Sequence, residues 1–170
     1  MTEIEYSRSE AVRYALRWAL ARNPAYYDFA NVGGDCTSFV SQSVFAGCEV
    51  MNYTPTFGWY YISGNDKSPS WSGVEYFYDF MVNNKEVGPY GEEAPLSSLM
   101  PGDVIQLQNQ NGRFYHSLFL TMIKTVRGVR NYYICAHDND AFQRNLNTYR
   151  FAGLRGIHII GARTQKNEDL

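Results

Sequence analysis

Several things are missing from this 170-residue sequence, and each absence removes a class of protein. There is no CxxC pair, and three cysteines (Cys36, Cys48 and Cys135) are too few and too odd in number for a disulfide framework. Three histidines scattered among them give no zinc spacing, so no metal and no cofactor are expected. No basic run stands out. With 15 Lys and Arg against 17 Asp and Glu, the net charge of −2 lacks the electrostatic footprint of a nucleic-acid binder. No apolar stretch approaches the length of a spanning helix, so a membrane is not an expected partner either. The opening MTEIEYSRSE is acidic and polar, unlike a secretory signal. Where the protein acts is left open: extracellular or at the cell wall if these residues are a domain cut from a longer protein, and cytoplasmic otherwise.

Aromatic residues, in contrast, are abundant at 16%, mostly as 14 Tyr and 10 Phe. Rings that combine an apolar face with a hydrogen-bonding tip suit a cleft for sugar or peptide as well as the margin of a core. The length fits one domain over 1–170, with a charged tail at 165–170 and no repeat or linker.

The first helix is read in SRSEAVRYALRWALARNP, where Ser7 and Glu10 have capping-box spacing and Pro24 stops the segment. A second helix is expected over 36–46, with Gly47 as its stop. A long aromatic loop follows over 49–70. Ser72 and Glu75 repeat the capping-box spacing ahead of a third helix, in which Val74, Phe77, Phe80 and Met81 share a face. Beyond Asn83 the period changes to that of strands. VIQLQ, then Asn-Gly within NQNGR, then FYHSLFLTMIK and, after Arg127-Gly128, NYYICAH describe hairpins, with GIHIIGAR as a last short strand. Helices followed by an antiparallel β-meander make an α+β domain.

The chemistry concentrates at GGDCTSFVSQ. A cysteine at a helix N-terminus meets free amides and the positive end of the macrodipole, which favour a thiolate and supply donors for an oxyanion. Gly33 and Gly34 allow close approach of a substrate backbone. Asp35 is positioned to turn its carboxylate toward backbone amides. A nucleophilic thiol needs an imidazole and a third group to orient it. His116, at the start of a strand, is the candidate base. The orienting candidates lie in CAHDND: His137, Asp138, Asn139 and Asp140. Cys48, Cys135 and His158 read as structural.

These residues resemble a known family. GGDCTSFVSQSVFAGC is similar to the Gly-Gly-Asp-Cys-Thr-Asn-Phe-Val-Ser-Gln block of the bacterial family described as the putative amidase domain, itself similar to the papain-like superfamily with its NlpC-type and CHAP-type cell-wall peptidases. NPAYYDF, GWYY, SWSGV, PGDVIQLQ, YHSLFLT and AHDNDAFQRNL follow in family order; Ser38 departs from the usual Asn. The resemblance implies a papain-like fold, Cys36 as nucleophile, His116 as general base, and His137 as third residue with Asp138 or Asn139 as alternatives. It also implies peptidoglycan as substrate, cleaved at a peptide-stem or sugar-lactyl amide. Gly34, Asp35, Trp59, Tyr60 and Trp71 are then the expected substrate-binding residues, with Tyr61 beside them on the cleft rim. Two rival readings stand beside this one: a cysteine protease or deamidase acting on proteins, in the cell or delivered, and a non-catalytic wall-binding module. Oligomeric state is left open.

Overall fold

The computed structural model describes residues 1–166, so the charged tail expected at 165–170 lies, from 167 on, outside the described residues. Helix α1 (Arg8–Trp18) starts where its sequence dictates, with the Ser7 hydroxyl accepting from the Glu10 amide and with Ala11 and Ala15 buried. Helix α2 (Cys36–Cys48) is the buried axis of the domain: eleven of its thirteen residues are inaccessible, so its hydroxyls and amide must be satisfied internally. Ser43 bonds the Phe39 carbonyl, Ser41 bonds the Trp71 carbonyl, and Gln42 is shared between Tyr14 and Ser38.

Two expected helix boundaries differ from those observed. Gly47 is not the stop of α2; the helix runs through it and ends at Glu49, which is left-handed at φ 54°. The glycine is required by packing instead, because a Cβ there would lie 2.4 Å from the Tyr6 ring. Ser72 closes a short helix, α3 (Pro69–Ser72), and α4 (Val74–Asn83) begins from Gly73 without a side-chain cap, so the second capping box does not form. Phe77, Phe80 and Met81 are nonetheless buried as their spacing predicts.

The strands are β1 (Thr2–Ile4), β2 (Tyr61–Ser63), β3 (Asp66–Lys67), β4 (Gly88–Ala94), β5 (Val104–Gln108), β6 (Phe114–Val126), β7 (Val129–Ala136), β8 (Ala141–Asn145) and β9 (Gly153–Thr164). β2 and β3 form a separate ribbon, and the others make one antiparallel sheet in the order β1-β9-β5-β6-β7-β8, with β4 also on β9. The α+β class therefore holds. A simple meander does not: only β5 to β8 follow in sequence, and β9, far longer than the short strand expected, returns to lie beside β5. β9 pairs with β5 and then β1 along one side and with β4 along the other.

Alternation along the curled sheet loads both of its faces. Val104, Phe119 and Cys135 join Phe39, Val44, Trp59, Trp71 and Phe77 beneath the helices. Ile105, Leu107, Leu118, Leu120 and Ile134 form a second core on the opposite face, closed by Leu99 and Leu146. Trp59 and Trp71, expected on a cleft rim, are fully buried in the first of these cores; their rings pack 4.8 Å apart at a tilt of 39°, which corrects that placement. Among the described residues, no helix is long and apolar enough to cross a membrane.

Candidate active site

The glycines ahead of α2 have left-handed backbones, Gly33 at φ 85° and Gly34 at φ 99°. They deliver Cys36 to the first turn of the helix, directly over β6 and the turn joining β7 to β8. Thr37, the next residue, anchors this end to β6 by a 2.9 Å hydrogen bond between its hydroxyl and that of Ser117. Ser117 is also reached by the Gln106 amide, so the residue after His116 is fixed from two sides.

Ala136 pairs with Ala141, which leaves His137 to Asp140 as the hairpin turn. Its central residues, Asp138 (φ 66°) and Asn139 (φ 58°), are both left-handed, as a type I′ turn requires and as Asp and Asn tolerate better than most other non-glycine residues. This turn sends neighbouring side chains to different places. His137 goes inward. Its Nδ1 lies 2.6 Å from Asp35 Oδ2, its Nε2 lies 2.7 Å from the Trp18 carbonyl oxygen, and its ring stacks 4.1 Å from that of Phe39. Asp138 instead turns to the helix end, where its carboxylate accepts from the Asp35 amide (2.8 and 3.0 Å) and the Cys36 amide (3.2 Å).

One ligand-type atom each from Cys36, His116 and Asp138 consequently lies within 4.8 Å of the others. The structure brings these three together. His137, expected beside His116, is outside the group because both its nitrogens face oxygens elsewhere. The signal for Asp138 was present in the sequence: Asp and Asn are each among the residues that occupy the centre of a type I′ turn, and the register of the turn decides which residue faces the helix. Gly34 also serves this contact. A Cβ there would sit 2.6 Å from Asp138 Oδ2, so the expectation that it admits a substrate backbone is replaced by a need to admit a carboxylate. Asp35, expected at the substrate, is buried and accepts from the Phe29 amide at 2.9 Å as well as facing His137.

Arg22 ties these segments together. Its guanidinium meets Asp140 through two nitrogens (2.8 and 3.0 Å), Asp28 at 3.2 Å and Asp35 at 3.7 Å.

The electrostatics oppose the simple helix-end argument. Burial pushes the Cys36 thiol up to about 11, and the adjacent Asp138 carboxylate acts in the same direction, against hydrogen bonds from Ser117 and Thr37. Burial also holds His116 below the ordinary imidazole range; Asp138 partly offsets this, while Arg144 adds to it. Both directions favour the neutral forms of the resting pair, thiol and imidazole. The free amide expected to favour a thiolate and to receive an oxyanion already has Asp138 as its partner.

The rings around the base are Tyr115, 6.1 Å from His116, and Tyr149, 6.2 Å away. Tyr115 is exposed and lines a hollow of about 240 Å³ with Asn109, Arg150 and Phe151. The long aromatic loop serves another place. A cavity of about 570 Å³ between Phe57, Gly58 and α4 is lined by none of the three clustered residues. Tyr60 is half-buried, its ring 5.8 Å from that of Tyr53.

Residues 5–160 match the family model described as the putative amidase domain. Uncharacterized protein YhbB of Bacillus subtilis (strain 168) is similar, with 34% identity over 116 residues; the match covers 66% of this chain and 36% of that protein. The chain therefore spans little more than a third of the length of this curated relative. No solved structure matches. With residues 5–160 inside that family match, and with the cysteine-led helix among them, the chain belongs to the putative amidase domain family.

Proposed function

We propose that this domain hydrolyses an amide bond of peptidoglycan through a thioester on Cys36, as a papain-like enzyme does. The gathering of Cys36, His116 and Asp138 at one helix end carries the reading. Family membership supplies the coarser statement, a hydrolase acting on amides.

His116 takes the thiol proton as sulfur attacks the carbonyl carbon, then gives that proton to the leaving amine. A thioester remains. His116 next takes a proton from water, hydroxide attacks the thioester, and the proton returns to sulfur as the carboxylic acid departs. A neutral resting pair suits this sequence, because the proton moves only when the carbonyl is present. Hydrogen-bond distances that are long at rest tighten in the substrate complex.

Asp138 has two uses in this scheme. At rest it holds the Cys36 amide; as the substrate carbonyl enters, its carboxylate leaves that amide for His116. The amide is then available to the oxyanion and the developing imidazolium gains an anion. The peptidoglycan assignment rests on the resemblance to cell-wall peptidases and on the exposed rim of Tyr115, Arg150 and Phe151, which replaces the Trp59–Trp71 wall. Cell-wall or extracellular action follows from that substrate.

The test is mass analysis of fragments released from purified peptidoglycan by wild type and by Cys36→Ala. New amine and carboxyl termini that need Cys36 support the reading. Cleavage or deamidation of proteins with an intact wall would keep the nucleophile and overturn the substrate. Wall binding without product, equal in wild type and Cys36→Ala, would favour the binding module.

A further inference from the structure

The geometry points to a second use of the same three side chains: Cys36, His116 and Asp138 form a binding site for one divalent cation of borderline softness, of the Zn²⁺ class. Each presents a different donor, sulfur, imidazole nitrogen and carboxylate oxygen, and the three donor atoms already lie within 4.8 Å of one another. Sulfur with nitrogen selects zinc-like ions over Mg²⁺ or Ca²⁺, and three protein ligands leave a fourth position for water. Zinc bonds to such atoms imply donor separations of about 3.3–3.6 Å, so rotation of the His116 and Asp138 side chains has about 1.2–1.5 Å to close at most.

Charge argues the same way. Without a cation, a Cys36 thiolate would stand beside the Asp138 carboxylate in a buried site, two anions against a neutral imidazole. A dication neutralises both. On binding, the thiol loses its proton to solvent and a metal–sulfur bond forms, so one proton is released per ion and affinity rises with pH.

For the carboxylate, the supporting contacts are those of a metal site's outer layer. The Asp35 and Cys36 amides orient the carboxylate, and Tyr115 and Tyr149 flank the imidazole. The wide sequence spacing, 36 to 116 to 138, explains why no zinc pattern shows in the chain itself. Binding does not depend on the proposed hydrolysis; its consequence, reversible inhibition by occupation of nucleophile and base together, rests on that reading.

The experiment is a titration of the metal-free chain with Co²⁺ as the optical probe, followed by displacement with Zn²⁺. A thiolate-to-cobalt absorption band is expected to saturate at one equivalent, to vanish in Cys36→Ser, and to persist in Cys48→Ser and Cys135→Ser. His116→Ala and Asp138→Asn should each weaken binding at least about tenfold. Zn²⁺ should also protect Cys36 of the wild type from iodoacetamide, which keeps the test valid even where a variant misfolds. A band that survives Cys36→Ser, or no saturable band together with unprotected alkylation, overturns the proposal. A Cys36-dependent band in a chain that hydrolyses nothing would retain the metal site and refute the catalytic reading instead.

Discussion

Helix α2 begins with one cysteine and ends with another, and both are buried free thiols. Burial pushes both up, Cys36 to about 11 and Cys48 to about 12. Their neighbours differ. Cys48 faces the Val50 carbonyl at 3.6 Å and its end of the helix is sealed by Tyr6 against Gly47. Cys36 faces an imidazole and a carboxylate delivered by β6 and by the β7–β8 turn. Neither the helix nor burial makes the difference. What does is sheet topology, which carries His116 and Asp138 to one end of α2 and not the other.

The comparison is tested most severely by removing each thiol. Cys36→Ala is expected to lower amide hydrolysis about 10³-fold or more, whereas Cys48→Ala leaves kcat unchanged; steady-state rates on one amide substrate decide it. Equal losses would end the distinction. His116→Gln comes next, with kcat reduced about 10²–10⁴-fold and the acid limb of the pH–rate profile removed.

A neighbouring pair sharpens the point. His137→Ala should cost about 3 kcal/mol in denaturant unfolding, because it leaves Asp35 buried without its imidazole partner. Asp138→Asn should cost nearer 1 kcal/mol as a weakened helix cap, and show its main effect in kcat. If His137→Ala abolished turnover with unchanged stability, the roles of these two residues would have to be exchanged.

Much of this was legible in the sequence, and the parts that were not share a cause. The Asn111–Gly112 and Arg127–Gly128 turns are local, and local chemistry fixes them: Gly112, Arg127 and Gly128 are all left-handed. The cysteine at the helix start was legible for the same reason. β4 escaped because GPYGEEA carries two glycines and a proline with no alternation, and only pairing to β9 makes it a strand. The position of β9 beside β5 is a long-range choice that no window displays. Trp59 and Trp71 misled because an aromatic in a loop reads alike whether it meets solvent or a core. That Asp138 rather than His137 lies near Cys36 and His116 turned on one residue of turn register. The raised thiol arose from burial and a carboxylate brought in from a hundred residues away, neither visible at GGDC.

A last expected effect is a dependence of stability on alkaline pH. Both helix-end thiols keep their protons in the folded state well above the ~8.5 at which an unfolded cysteine loses its own. The native state then binds more protons, so stability falls as pH rises from about 8.5 toward 11 and 12. Cys48→Ala should flatten part of that slope in thermal melts taken across alkaline pH.

Arg22 gives the molecule a property of a different kind. One guanidinium joins Asp28 in the approach to the helix, Asp35 before the cysteine and Asp140 beyond the turn. Exchange of the arginine alone takes the cation from Asp28 and Asp140 and leaves Asp35 to His137 and the Phe29 amide, and exchange of one acid alone leaves the cation unevenly matched. Drift at these four positions is therefore coupled: relatives that have lost the arginine should have lost acids with it, and a library randomised at all four should yield active clones in matched combinations.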